Sequence, residues 1–149
     1  MSVRKALSEL NDIFIIFEDP KDKFVQLMDM AKDSEKLSET EKTDVNKIYG
    51  CTSQAWVVAE NNGNDTYHIR TDSDALIVKG LLTILEKIFN GKPVNEILSI
   101  TSNEILESIG LDGIITSQRT NGFSNAVEKI KELIKRIKNQ QSQFVYYVM

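Results

Sequence analysis

Cys51 is the only cysteine and His68 the only histidine in the chain. A soft thiolate nucleophile is thus available at one position, within Tyr49-Gly50-Cys51-Thr52-Ser53-Gln54, a polar turn rather than an apolar face. A lone cysteine is often an inert, buried small hydrophobe; the turn context favours reactivity, and from context alone both readings stay open. A cysteine protease would need a histidine base beside the sulfur. His68 falls in a predicted hairpin, with no obvious Asn or Asp to orient it, and reads as a strand residue with its polar edge in water. One cysteine and one histidine form no intramolecular disulfide and fall short of the three or four protein ligands of a zinc site.

Three further groups carry functional side chains with ordinary structural explanations. Asp72-Ser73-Asp74 precedes an apolar run, where side-chain oxygens satisfy free N–H groups and acids suit the positive helix end. Arg119-Thr120-Asn121-Gly122 has the composition of a turn before the last helix. Trp56 reads as a core or hairpin-face aromatic.

The elements that position these residues follow from periodicity. Val3, Ala6, Leu7, Leu10, Ile13, Phe14 and Phe17 fall on one helical face, with Ser2 as N-cap. Asp19-Pro20 then opens a second helix predicted to reach Lys36. Residues 37–44 read as a polar connection and 47–49 as a short strand ending at Gly50. Residues 55–59 and 66–70 are rich in β-branched and aromatic types and flank Asn61-Asn62-Gly63-Asn64, which predicts a hairpin. The run 75–89 is apolar almost all round and predicts a buried central helix. Two short helices follow, one started by Pro93 and one by a Thr101/Glu104 capping box that stops at Gly110. The last predicted helix, 122–139, puts Phe123, Ala126, Val127, Ile130, Leu133, Ile134 and Ile137 on one face. The apolar tail within 140–149 has no evident partner. Strands in mid-chain between groups of helices indicate an α+β fold.

Composition narrows the class. The length fits one domain spanning 1–149, and 41 % hydrophobic with 27 % charged residues is the balance of a soluble globular chain. The net charge of -4 disfavours nucleic acid and anionic membrane surfaces as partners. Lys129, Lys131, Lys135, Arg136 and Lys138 alternate with apolar residues and read as a solvated helix face. The N-terminal apolar run is interrupted by Asn11 and Asp12, too short for a membrane span, and a cytoplasmic protein is expected.

Taken in order, Gly50-Cys51-x-Ser53-Gln54-x-Trp56, Asp72-Ser73-Asp74-Ala75-x-Ile77-Val78-Lys79-Gly80, Gly110-Leu111 and Ser117-x-Arg119-x-Asn121-Gly122 resemble the signature of the SufE family. The resemblance implies an α+β fold with helices packed on a small, mostly antiparallel three-stranded sheet, shared with IscU-type scaffold proteins. It implies that Cys51 accepts persulfide sulfur from a SufS-like cysteine desulfurase, stimulates that enzyme, and delivers sulfur for iron-sulfur cluster assembly, with a SufB-containing scaffold complex as recipient. A cluster scaffold would need several cysteine ligands; a carrier needs one thiolate. On this reading the chain is a sulfur-transfer partner rather than a stand-alone enzyme. It binds no cofactor, and the pyridoxal phosphate belongs to the desulfurase. Cys51 is expected to be partly or wholly buried, sheltered by Trp56 and the helix after Asp74, with Arg119 near enough to favour the thiolate. Asp72 and Asp74 are expected to fix the helix and the cysteine loop, and Lys79 to meet the desulfurase at the surface. Two other readings are a docking module that activates the desulfurase without carrying sulfur and a thiol-dependent hydrolase.

Overall fold

Helix α1 (Val3–Phe14) begins at Ser2, whose extended backbone lets its hydroxyl accept the Lys5 N–H at 3.0 Å. The computed structural model describes the backbone of residues 2–148 and the side chains of residues 2–140. Val3, Ala6, Leu7, Leu10 and Phe14 form the buried stripe of α1, which stops at Phe14 rather than Phe17 and leaves Ile15 and Ile16 exposed. Helix α2 (Pro20–Asp33) has the expected start, with Asp19 accepting the Lys21 N–H and Pro20 in the first turn. It ends before Lys36.

Strands β1 (Ala55–Asn61) and β2 (Tyr67–Ser73) pair antiparallel from Ala55 opposite Ser73 to Asn61 opposite Tyr67. The sheet is two-stranded among the described residues, not three-stranded. Residues 47–49 contribute one isolated bridge, Lys47 to Trp56, flanked by Ile48 N–H to Ala55 O at 2.8 Å and Val57 N–H to Asn46 O at 2.9 Å. Turns crowd both ends of that segment: Asn46 and Lys47 donate back to Thr43 and Asp44, and Gly50 turns away at φ 81°. No room remains for a ladder.

Upstream of this bridge, residues 38–46 lie as a strap against the hairpin. A short 3-10 turn (Glu39–Glu41) carries Glu41 to the Arg70 guanidinium, which also pairs with Glu60 at 2.9 Å. Asn46 Nδ2 donates to Glu41 O at 2.8 Å. The hydrogen bond from Arg70 is the main cause that holds the Glu41 carboxyl down at about 2 from the ordinary 4.5. Because the folded value is the lower one, this contribution to stability is complete above about pH 4.5 and is lost as pH falls toward 2. Amide protection of residues 38–47, measured against the intrinsic exchange rate at each pH, is therefore expected to fall across that window in wild type. In Glu41→Gln it is expected to be low already at pH 6, and matching profiles for the two chains would contradict the clasp.

Helix α3 (Leu76–Phe89) is the centre, packed against α2, β2, α1 and the last helix, α6 (Ser117–Val148). A methyl group on Gly80 would overlap the Leu27 carbonyl oxygen, so glycine is what lets α2 and α3 approach so closely. Asp72-Ser73-Asp74 does not cap this helix: β2 runs through Ser73, Ala75 is the N-cap residue, and no side chain caps it. Beyond α3, Asn90 docks on β2, with Ile69 N–H donating to its Oδ1 at 2.5 Å and its Nδ2 donating to Ile69 O at 3.2 Å. Helices α4 (Val94–Ser99) and α5 (Ser102–Ser108) follow Pro93 and Thr101, with Thr101 Oγ1 accepting the Glu104 N–H at 3.1 Å.

Helix α6 starts at Ser117, so Arg119-Thr120-Asn121-Gly122 is helical and not a turn. The helix also continues past Asn139 to Val148; what the apolar side chains of the tail touch lies outside the described residues. Lys131 departs from the solvated face assigned to it: it is buried, and its ammonium donates to the Ile100 carbonyl at the end of α4 at 2.5 Å. No helix among the described residues is long and apolar enough to cross a membrane.

Candidate functional site

The Ile48–Ala55 hydrogen bond brings together the two ends of the loop that carries Cys51. Gly50 bends the chain at its entrance, where a side chain would collide with Asn125 Nδ2. At its exit Gln54 is held three times: its N–H donates to Asp74 Oδ1 at 3.1 Å, and its carbonyl accepts from Ser73 Oγ at 2.8 Å and from the Asp74 N–H at 3.2 Å. Asp74 therefore latches the cysteine loop to the end of β2.

Cys51 is half-buried beside a small cavity. Ile48, Ala55, Val78, Leu81, Leu82 and Phe123 make its apolar wall, while Thr52, Gln118 and Arg119 bring polar groups to it. Gly122 completes the lining, and a methyl group there would stand 3.2 Å from Cys51 Sγ. The first two turns of α6 thus lie against the thiol. Among the described residues Arg119, which helps line the cavity, forms no ion pair.

The remaining sequence candidates divide sharply. Trp56 is not part of the cavity. Alternation along β1 sends it to the face opposite Ala55, under the strap, where the Lys42 ammonium lies 5.3 Å from its ring centroid. Asp72, on β2, holds the same strap: its Oδ2 accepts the Leu37 N–H at 3.0 Å and pairs with Lys42 at 3.5 Å. Lys79 is no surface contact, being 3 % exposed and bound to Thr71 O at 2.5 Å and Glu86 at 3.3 Å. A lysine inside an apolar helix run looks like a solvated residue in sequence, but Thr71 of β2 and Glu86, two turns further along the same helix, hold it in the interior. His68 is exposed opposite Glu60, ~17 Å along the hairpin from Ala55, which removes the histidine-assisted hydrolase reading. The described residues contain no group of three or more His, Cys, Asp or Glu that could hold a metal ion.

Gly122 and Asn125 escaped the sequence reading as site residues. The available signal was a glycine within an apolar helical pattern, which costs about 1 kcal/mol against alanine and so points to a close approach.

Comparison with known proteins decides the family. The SufE family profile, described as an Fe-S metabolism associated domain, matches residues 8–134. The chain belongs to the SufE family. A SufE-like protein of Rhizobium etli is 35 % identical over 133 residues, covering 87 % of this chain and 90 % of that protein. A SufE-like protein of Synechocystis is 36 % identical over 120 residues, covering 80 % and 74 %. The chloroplastic/mitochondrial SufE-like protein 1 of Arabidopsis thaliana is 35 % identical over 126 residues, which are 85 % of this chain and 34 % of that longer protein. A solution structure of a hypothetical protein from Thermus thermophilus superposes with a TM-score of 0.72 at 15 % identity, covering 88 % of this chain and 94 % of the other. That likeness concerns the fold alone. Membership of the SufE family associates the chain with Fe-S metabolism.

Proposed function

We propose that Cys51 accepts sulfane sulfur from a pyridoxal-phosphate-dependent cysteine desulfurase, stimulates that enzyme by unloading it, and delivers the sulfur to a SufB-containing scaffold complex in the cytoplasm. The observation that carries the reading is a single half-buried thiol set beside an apolar cavity on a latched loop, with an arginine in the same lining that has no ion-pair partner among the described residues.

The transfer is an exchange at sulfur. Cys51 thiolate attacks the terminal sulfur of the donor's cysteine persulfide; a new S–S bond forms at Sγ, the donor's S–S bond breaks, and the electron pair leaves with the donor thiolate. Delivery repeats the exchange with Cys51 thiolate as leaving group. Arg119 offers positive charge to the sulfur anion in both states. Shelter and transfer make opposite demands on the loop, since a donor sulfur cannot reach Sγ through the cavity wall. The latch bonds of Gln54 answer this because they are exposed and cheap to open. Tyr49, 61 % exposed beside the loop entrance, and Leu76, 48 % exposed just beyond Asp74, supply apolar surface for the desulfurase.

Asp74→Ala removes one latch bond worth about 1 kcal/mol. The open-loop population and the rate of Cys51 alkylation by iodoacetamide are then expected to rise about fivefold, with the melting temperature little changed. An unchanged rate would mean that Asp74 does not hold the loop. For the function itself, an active desulfurase given sulfur-labelled cysteine is expected to deposit label on the chain in a form that reductant releases. Absence of label with a demonstrably active donor would count against sulfur acceptance.

A further inference from the structure

The cavity beside Cys51 has a volume of about 20 Å³. A site for one water molecule needs roughly 10–15 Å³ measured this way, so there is room for one more atom of that order and not for a row of them. The room exists because residue 122 is glycine; a methyl group there would already be within 3.2 Å of Sγ. The other walls do not yield easily: Ile48, Leu82 and Phe123 are 3 % exposed or less and belong to the main core. A sulfur bonded to Sγ lies at about 2.05 Å, and a second would turn off at a dihedral near 90° and need about as much room again.

We propose that Gly122 and the cavity walls set the load of the closed loop at one sulfane sulfur, so that the chain carries a persulfide and excludes polysulfide. This rests on Cys51 being the sulfur acceptor. The outer sulfur of a Cys51 persulfide is itself a nucleophile. Left exposed, it would attack another donor persulfide, form a further S–S bond and expel the donor thiolate, lengthening the chain at each encounter. Withdrawing one sulfur into the cavity ends that growth. A Cys51 trisulfide holds the loop open, where a small cellular thiolate attacks its outer sulfur and releases the Cys51 persulfide anion, which then fits.

The test uses the full chain alone and inorganic polysulfide as the probe. Folded and urea-unfolded samples are treated with excess polysulfide, alkylated and weighed intact. The folded chain is expected to show one added sulfur at least tenfold over two or more, while the unfolded chain shows a ladder. Val78→Ala, which enlarges the half-buried wall, is expected to admit a second sulfur. Gly122→Ala is expected to cut the single load of the folded chain about tenfold without changing the ladder of the unfolded one. A ladder on the folded wild-type chain overturns the single-sulfur limit and leaves sulfur acceptance standing. A folded chain that takes up no sulfur, beside an unfolded one that does, overturns the fit of one sulfur in the closed loop and leaves acceptance to the desulfurase assay.

Discussion

Cys51→Ser is expected to abolish stimulation of the cysteine desulfurase while leaving the fold in place. Serine is nearly the size of cysteine, and the position is half-buried, so a hydroxyl against the apolar part of the lining costs stability on the order of 1 kcal/mol. The functional loss is total because no second thiol exists to take the sulfur. Stimulation on this account comes from unloading the donor, and a serine oxygen forms no persulfide. Desulfurase turnover of cysteine, measured with increasing amounts of each chain, separates the readings. Wild type raises the rate and Cys51→Ser does not. If Cys51→Ser stimulated as well as wild type, the chain would act as a docking module and the thiol would be structural.

The largest effect on stability is expected from Lys79→Met. The Lys79 ammonium donates to the Thr71 carbonyl at 2.5 Å and hydroxyl at 3.2 Å and pairs with Glu86 at 3.3 Å, and Glu86 also accepts from the Thr71 hydroxyl at 2.5 Å. Removing one partner strands the other charge where water reaches it poorly, a loss of about 3 kcal/mol. For a chain of this length that lowers the melting temperature by about 10 °C. Neutralising the stranded acid in Lys79→Met/Glu86→Gln is expected to recover about half of the loss. A single-variant loss below about 1 kcal/mol would show that the pair is solvated after all. Thr71 lies three residues before Asp74 on the same chain segment, so Lys79→Met is also expected to loosen the cysteine loop and speed its alkylation.

Much of the helical framework was legible because local chemistry decides it. Ser2, Asp19-Pro20 and Thr101 each satisfy free N–H groups within three residues, and the Asn-Gly turn sits between two β-rich runs, so starts and hairpin follow from short-range rules. Cys51 was legible as the candidate thiol because there is one cysteine and its turn is polar. Most of the misreadings share a cause, which is that their partners are distant in sequence. Asp72 and Asp74 have cap-like composition, but tertiary hydrogen bonds to Leu37 and Gln54 outweigh capping, and the strand runs on through Ser73. Trp56 lies one residue from Ala55, and that single step along a strand moves it from the cysteine face to the strap. Arg119 through Gly122 look like a turn, yet the chain accepts glycine inside a helix there because Cys51 must approach the backbone. The third strand failed because turns at both ends leave only one bridging pair.

Whether Cys51 takes up sulfur is read from the intact mass of the chain after incubation with an active cysteine desulfurase and cysteine. A gain of one sulfur atom that reductant removes, located on Cys51 and absent from Cys51→Ser, is expected. An unchanged mass beside a desulfurase that is turning over cysteine, or a gain that persists in Cys51→Ser, would contradict it.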